Sequence, residues 1–180
     1  MKRTVYLLIG IFAFSLFSCD GQSGNNPQKQ ANKKVQTSNT VNVAGDGNLK
    51  PVHITKAEFL KLVMDYEKNP NEWMFQGQKP CLIDFYADWC APCRITSPIL
   101  EDLAGHYAGK IDIYKVDIDD EQELAAVFGI QSIPTFLFCP MDGKPTISSG
   151  IANSPSATKD LFIRQIEELL LKNTESSSGI

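Results

Sequence analysis

Cys90 and Cys93 stand three positions apart, separated by Ala91 and Pro92 and preceded by Trp89. Thiols at this spacing lie close enough to form a disulfide, and the same spacing supplies half of many zinc sites. A zinc reading needs two further ligands, and the remaining candidates, Cys81, Cys139, His53 and His106, form no second close pair. The Ala-Pro filler also stiffens the loop between the thiols, which suits a redox turn. The pair is therefore read as redox-active, with no metal and no organic cofactor. The chemistry would be thiol–disulfide exchange: one low-pKa sulfur attacks a disulfide and a second, beside it, resolves the mixed disulfide.

The flanking segments are those that such chemistry needs. Cys81 to Ala87 is an apolar run rich in Ile, Phe and Tyr, which predicts a buried strand. After Pro92, the spacing of Ile95, Ile99, Leu100 and Leu103 predicts a helix to about Tyr107, kinked at Pro98. Cys90 then falls at a helix N-terminus, where unpaired N–H groups and the dipole favour a thiolate. Upstream, Thr55-Lys-Ala-Glu58 is a capping-box pattern opening a first helix with Phe59, Leu60, Val63 and Met64 on one face, ending near Asn69-Pro70. Asn71 to Lys79 is polar and is read as a loop. Downstream come a strand at 111–118 and a short helix capped by Asp119 or Asp120 and stopped by Gly129. A strand from Thr135 to Cys139 turns at Met141 to Lys144 into a partner at Thr146 to Ser149. A last helix, about Ser156 to Lys172, is expected to bury Leu161, Phe162, Ile166, Leu169 and Leu170. Alternating elements that finish on a hairpin predict an α/β fold, a central mixed β-sheet with helices on both faces.

The chain is 180 residues long with 43% hydrophobic residues, enough for one core domain. Residues 1–18 carry a basic start, Lys2-Arg3, and an apolar run from Val5 to Phe17, too short to span a bilayer comfortably and suited to a signal peptide. The run ends in Leu16-Phe17-Ser18-Cys19, which resembles the lipobox of bacterial lipoproteins, in which the cysteine becomes the lipidated first residue. An ordinary secretory signal with a chance Cys19 is the alternative. Residues 20–48 are rich in Gln, Asn, Ser, Thr, Gly and Lys, with three valines as their bulky apolar residues, and are expected to be a disordered tether reaching about 30 Å from the membrane. The folded unit is expected over 49–173, with a disordered tail at 174–180. From Leu49 onward there are 12 Lys and Arg against 19 Asp and Glu, a formal charge of −7. That balance argues against nucleic-acid binding and against electrostatic attachment to anionic lipid.

Several separated motifs then agree. The segment Asp84-Phe-Tyr-Ala-Asp-Trp-Cys90 resembles the active-site strand of the thioredoxin family, Lys115-Val-Asp-Ile-Asp119 its third-strand motif, and Ile133-Pro134-Thr135 its cis-proline loop. Gly150 falls where the family keeps a glycine facing the active site. The resemblance covers residues 53–172 and implies the thioredoxin fold. Ala91 departs from the glycine of thioredoxin proper, Arg94 from its usual lysine, and the extra pair Cys81 and Cys139 from the simplest members. By resemblance, Asp84 lies beneath the disulfide with Lys115 and takes the proton of the resolving thiol Cys93, its pKa raised by desolvation. Cys90 attacks. Trp89, Ala91, Pro92, Ile133, Pro134 and Gly150 form the substrate-binding surface, Ile133 offering its backbone to a substrate strand. Asp is rarely buried without a partner or a function, and Asp84 lies between Ile83 and Phe85.

The implied enzyme is a monomeric protein-disulfide reductase in the bacterial periplasm, anchored by lipidated Cys19. It would act on disulfide-bearing exported proteins and draw electrons from an integral-membrane donor, since no cytosolic reductase reaches an exported protein. An oxidase or isomerase running the chemistry the other way, and a non-catalytic binding module on the same fold, are the alternatives. His53 and His106 are read as surface residues. Cys81 and Cys139 are read as small buried apolar residues on adjacent strands, a second disulfide being the minority reading.

Overall fold

The computed structural model describes residues 49–172; the leader, Cys19, the tether and the tail expected from the sequence lie outside the described residues. The elements run β1 (Val52–His53), α1 (Lys56–Leu62), β2 (Cys81–Tyr86), α2 (Ala91–His106), β3 (Asp112–Asp117), α3 (Gln122–Val127), β4 (Thr135–Cys139), β5 (Thr146–Ser149) and α4 (Pro155–Gln165), which continues as a π-helical segment over Ile166–Leu171. The sheet order is β1-β3-β2-β4-β5. β3 runs parallel to both β1 and β2, whereas β4 is antiparallel to β2 and β5. This is the mixed sheet expected from the sequence.

β2 is the central strand and all six of its residues are buried. Such a strand reads as a continuous apolar run because both of its faces are covered. Its even positions face α2 and α4: Leu82 packs with Ile99, Leu100 and Leu103, and with Phe136, Phe162 and Ile166. Its odd positions, Ile83 and Phe85, face Phe59 and Val63 of the α1 region and Leu124 of α3. Burying each such side chain contributes about 1.5–3 kcal/mol. The two layers fix β2 from both sides, and with it the point where the chain leaves the sheet for α2.

The capping box of α1 forms in full: Glu58 N–H donates to Thr55 Oγ1 (3.3 Å) and Thr55 N–H to Glu58 Oε2 (2.8 Å). The helix ends seven residues earlier than the expected Asn69, at Leu62. From there Asp65 organises a turn, accepting from Lys68 N–H (3.1 Å) and through its carbonyl from Asn69 N–H (3.0 Å). The segment 71–79 is a loop as expected, but not a purely solvated one. Trp73 and Phe75 pack onto the core, Trp73 edge-on to Phe128 with ring centroids 6.3 Å apart. α3 is not capped by Asp119 or Asp120; Glu121 holds the N-cap without a side-chain bond, and Asp117 Oδ1 accepts from Asp119 N–H (2.9 Å). Gly129 ends that helix at φ +63°, a conformation that favours glycine.

α2 continues through Pro98 as one 16-residue element. Its buried stripe is Cys93, Thr96, Ile99, Leu100, Leu103 and Ala104, and Ile95, which shares the helical spacing, is 40% exposed at its margin. In the last helix Phe162, Ile166 and Leu170 are buried, while Leu161 and Leu169 are only half-buried. Cys81 and Cys139 are directly opposed across β2 and β4, both buried and both free thiols. Burial pushes the Cys81 thiol well up, reinforced by its hydrogen bond with Cys139, so the pair is chemically quiet. Among the described residues no helix is long and apolar enough to cross a membrane.

Candidate active site

The end of β2 delivers the chain to the site. After Tyr86, residues 87–90 turn, with Cys90 N–H donating to the Ala87 carbonyl (3.1 Å), and α2 begins at Ala91 with Cys90 as its N-cap. Pro92 sits in the first turn, where its missing N–H costs nothing. Cys90 and Cys93 are joined in a disulfide, their Cα atoms 5.3 Å apart. Cys93 N–H donates to Cys90 Sγ (3.2 Å), so the first sulfur takes the capping role that an Asp or Ser oxygen plays elsewhere. A helix N-terminus favours negative charge at that sulfur once the disulfide is reduced. Among the described residues no three His, Cys, Asp or Glu side chains gather as metal ligands.

Asp84 lies on the face of β2 that α2 covers, two residues on from Leu82, and is fully buried. Neither carboxyl oxygen has a hydrogen-bond partner. Desolvation pushes the carboxyl up to about 7, against the pull of Lys115. A neutral acid is the form that such a site tolerates. Lys115 is its cross-strand neighbour on β3. The ammonium, however, donates to Ser97 Oγ (3.1 Å) on α2 and stands 4.1 Å over the Tyr86 ring.

On the rim, Trp89 is 65% exposed and its indole N–H donates to Asp119 Oδ2 (2.8 Å). This hydrogen bond fixes a large apolar ring beside the disulfide while leaving its face to solvent. Ala91 and Pro92 are exposed next to it. The Ile133–Pro134 peptide bond is cis, and Ile133 packs against the cluster of Tyr86, Cys90 and Cys93. Gly150 adopts φ +81° and donates its N–H to the Pro134 carbonyl (2.9 Å), joining the end of β5 to the proline loop. Asp84, Trp89 to Cys93, Lys115, Ile133, Pro134 and Gly150 therefore have a defined place around the end of β2. Cys19 lies outside the described residues.

Two participants escaped the sequence reading. His53, taken as a surface residue, is exposed, yet its Nδ1 lies 3.0 Å from Tyr86 Oη and it lines a groove of about 330 Å³ together with Tyr86, Cys93, Ser97 and Lys115. Ser97 looked like an ordinary helix residue. The two-residue strand β1 that carries His53 is too short for a periodicity signal, whereas Ser97 sits four residues after Cys93 and so on the same helix face, a spacing that could have flagged it.

A buried acid on the strand, a disulfide capping the next helix and an exposed aromatic rim together define a site for thiol–disulfide exchange on a five-stranded mixed sheet. The thioredoxin family model matches residues 50–162, and the chain belongs to that family. It is 50% identical over 114 residues to a thioredoxin of Borreliella burgdorferi, covering 62% of this chain and 97% of the relative. A thioredoxin of Haemophilus influenzae is 40% identical over 114 residues, covering 63% of this chain and 94% of the relative. Among solved structures, a mutant thioredoxin from Halobacterium salinarum superposes with a TM-score of 0.50 at 27% identity, over 70% of this chain and 96% of that one. The enzyme is a protein-disulfide reductase of the thioredoxin type, working through Cys90 and Cys93.

Proposed function

We propose that this enzyme reduces disulfide-bearing exported proteins from the surface of a bacterial membrane in the periplasm, tethered there by a lipidated Cys19. The leader pattern ending in Leu-Phe-Ser-Cys and the polar stretch behind it support the location. In that compartment its electrons come from an integral-membrane donor, because structural thiols there are otherwise driven to disulfides. The observation that carries the mechanism is the buried, unpartnered Asp84 carboxyl, whose proton affinity lies near neutrality. Cys90 thiolate attacks a substrate disulfide, forming a mixed disulfide and expelling the substrate's other sulfur as a thiolate. Asp84 takes the proton of Cys93, whose thiolate attacks Cys90 Sγ and releases the second substrate sulfur, leaving the Cys90–Cys93 disulfide. Trp89, Ala91, Pro92, Ile133, Pro134 and Gly150 hold the substrate segment, and Lys115 modulates Asp84.

Two measurements test this. Mass spectrometry of the membrane fraction is expected to find a mature chain beginning at an acylated Cys19, and a soluble mature chain starting elsewhere would reject the anchor. The Cys90–Cys93 potential is expected nearer the thioredoxin value of about −270 mV than the strong-oxidant value of about −120 mV, with catalysis of insulin reduction. The Ala-Pro filler lacks a histidine that would stabilise the Cys90 thiolate and make the disulfide more oxidising. A potential above about −180 mV would assign the protein to isomerase or oxidase chemistry.

A further inference from the structure

His53, Lys115, Asp84 and Phe136 form one row of cross-strand neighbours over β1, β3, β2 and β4. Side chains of opposed residues share a face and lie within reach of each other, so a lysine beside a buried aspartate is placed to form an ion pair. It does not do so here. Lys115 Nζ donates to Ser97 Oγ at 3.1 Å and lies 4.1 Å above the Tyr86 ring, and both Asp84 oxygens remain without partners. Ser97 is prepared for that contact: its own hydroxyl proton goes to the Cys93 carbonyl (3.2 Å), which turns its lone pairs toward the ammonium. Tyr86 is fixed in turn by His53, through the 3.0 Å contact to Nδ1 and an edge-on ring packing at 5.5 Å.

We propose that Ser97 and the Tyr86–His53 pair are positioning residues that hold the Lys115 ammonium in the groove beside Cys93 and off the Asp84 carboxyl. The inference rests on the reading of Asp84 as the base for Cys93. Its physical content is a choice between two partners for one cation. Paired directly, Lys115 would stabilise the Asp84 carboxylate and make it a weak base; held at Ser97, it leaves a carboxyl able to accept a proton near neutral pH. The other titratable groups around the row are Tyr86 on β2, Cys93 on α2 and His53 on β1, with Asp88 and Asp117 acting on His53; β4 presents Phe136, which carries no charge. Burial and the neighbouring Lys115 lower the His53 pKa, which favours the neutral imidazole, and its Nδ1 shares the 3.0 Å hydrogen bond with the Tyr86 hydroxyl.

The test follows the Asp84 carboxyl by carbon-13 NMR in the oxidised protein through a pH titration, with Asp84→Asn to assign the resonance. Ser97→Ala is expected to lower the Asp84 midpoint by about one unit, the effect of an opposite charge drawn into contact. Ser97→Thr, which keeps the hydroxyl, is expected to restore the wild-type midpoint. In a Lys115→Met background the Ser97→Ala change is expected to do nothing further, because the cation it redirects is gone. An unchanged or raised midpoint in Ser97→Ala, or the same fall in the absence of Lys115, overturns the proposal. The readout is the proton on Asp84 and not turnover, so it stands apart from whether Asp84 serves Cys93, which the activity of Asp84→Asn decides.

Discussion

Cys93→Ser is expected to accumulate covalent complexes with disulfide-bearing proteins, whereas Cys90→Ser is expected to form none and to lose exchange altogether. The asymmetry follows from the first turn of α2. Cys90 is the N-cap and its sulfur receives the Cys93 N–H at 3.2 Å, so a thiolate there is stabilised by a hydrogen bond and by the positive end of a 16-residue helix. Cys93 lies inside the first turn, and among the described residues no N–H donates to its sulfur. Lowering a thiol from about 8.5 to about 7 raises its thiolate fraction at neutral pH roughly tenfold or more, which selects the attacker. Removing the resolver leaves the attack intact and the mixed disulfide with no internal route to release. Non-reducing electrophoresis of the two variants, incubated with a disulfide-bearing protein, reads the outcome directly. Complexes trapped by Cys90→Ser in place of Cys93→Ser would reverse the assignment.

Asp84→Asn is expected to flatten the pH dependence of stability and to slow the release of mixed disulfides by about 100-fold, the scale of a lost general base. The sign of the first effect is fixed by linkage. The carboxyl sits near 3.8 in the unfolded chain and at about 7 when folded, raised by desolvation. Below pH 4 both states are protonated and the group costs nothing. Between pH 4 and 7 the folded state holds a proton that the unfolded state has released, so stability falls as pH rises, levelling off above 7. About three units at 1.36 kcal/mol per unit gives a loss on the order of 4 kcal/mol from this one residue. Asparagine has the shape of the neutral acid and no proton to lose. Urea denaturation at pH 4 and pH 8 should therefore show wild type losing about 4 kcal/mol more than the variant over that interval. Equal losses would mean that Asp84 does not carry the buried proton.

The chemistry was legible because it is written in local patterns. A short spacing between thiols, an apolar strand before them and a helical stripe after them specify the redox turn, and Asp84 stands out as a charge between Ile83 and Phe85. The capping box at Thr55 and Glu58 and the glycine stop at Gly129 were equally readable, each being a signal of a few adjacent residues. What escaped was long-range. His53 is unremarkable until β1 pairs with β3 and brings it beside Lys115. Ser97 acquires its partner only when α2 crosses the sheet. Trp73 and Phe75 lie in a segment whose polar average hides them, and the aromatic cluster around Phe128 that receives Trp73 also draws Phe59, Tyr66 and Phe85 from elsewhere in the chain. Ile95 fits the helical spacing but falls at the margin of the stripe, beside a surface that the active site leaves open.

The opposed thiols of Cys81 and Cys139 give this protein a clock for its own unfolding. They sit at the far end of β2 from the redox turn, both sealed in the core and the Cys81 thiol pushed up by that burial, so a thiol-modifying reagent meets no open path to either sulfur. Reaction at either sulfur has to wait until β2 and β4 separate, an event that dismantles the centre of the sheet. With Cys90 and Cys93 locked as a disulfide, the pace of modification in the domain becomes the fraction of time the core stands open multiplied by the reagent's intrinsic rate. Stability can thus be read under fully native conditions, without denaturant and without a probe that has to be introduced.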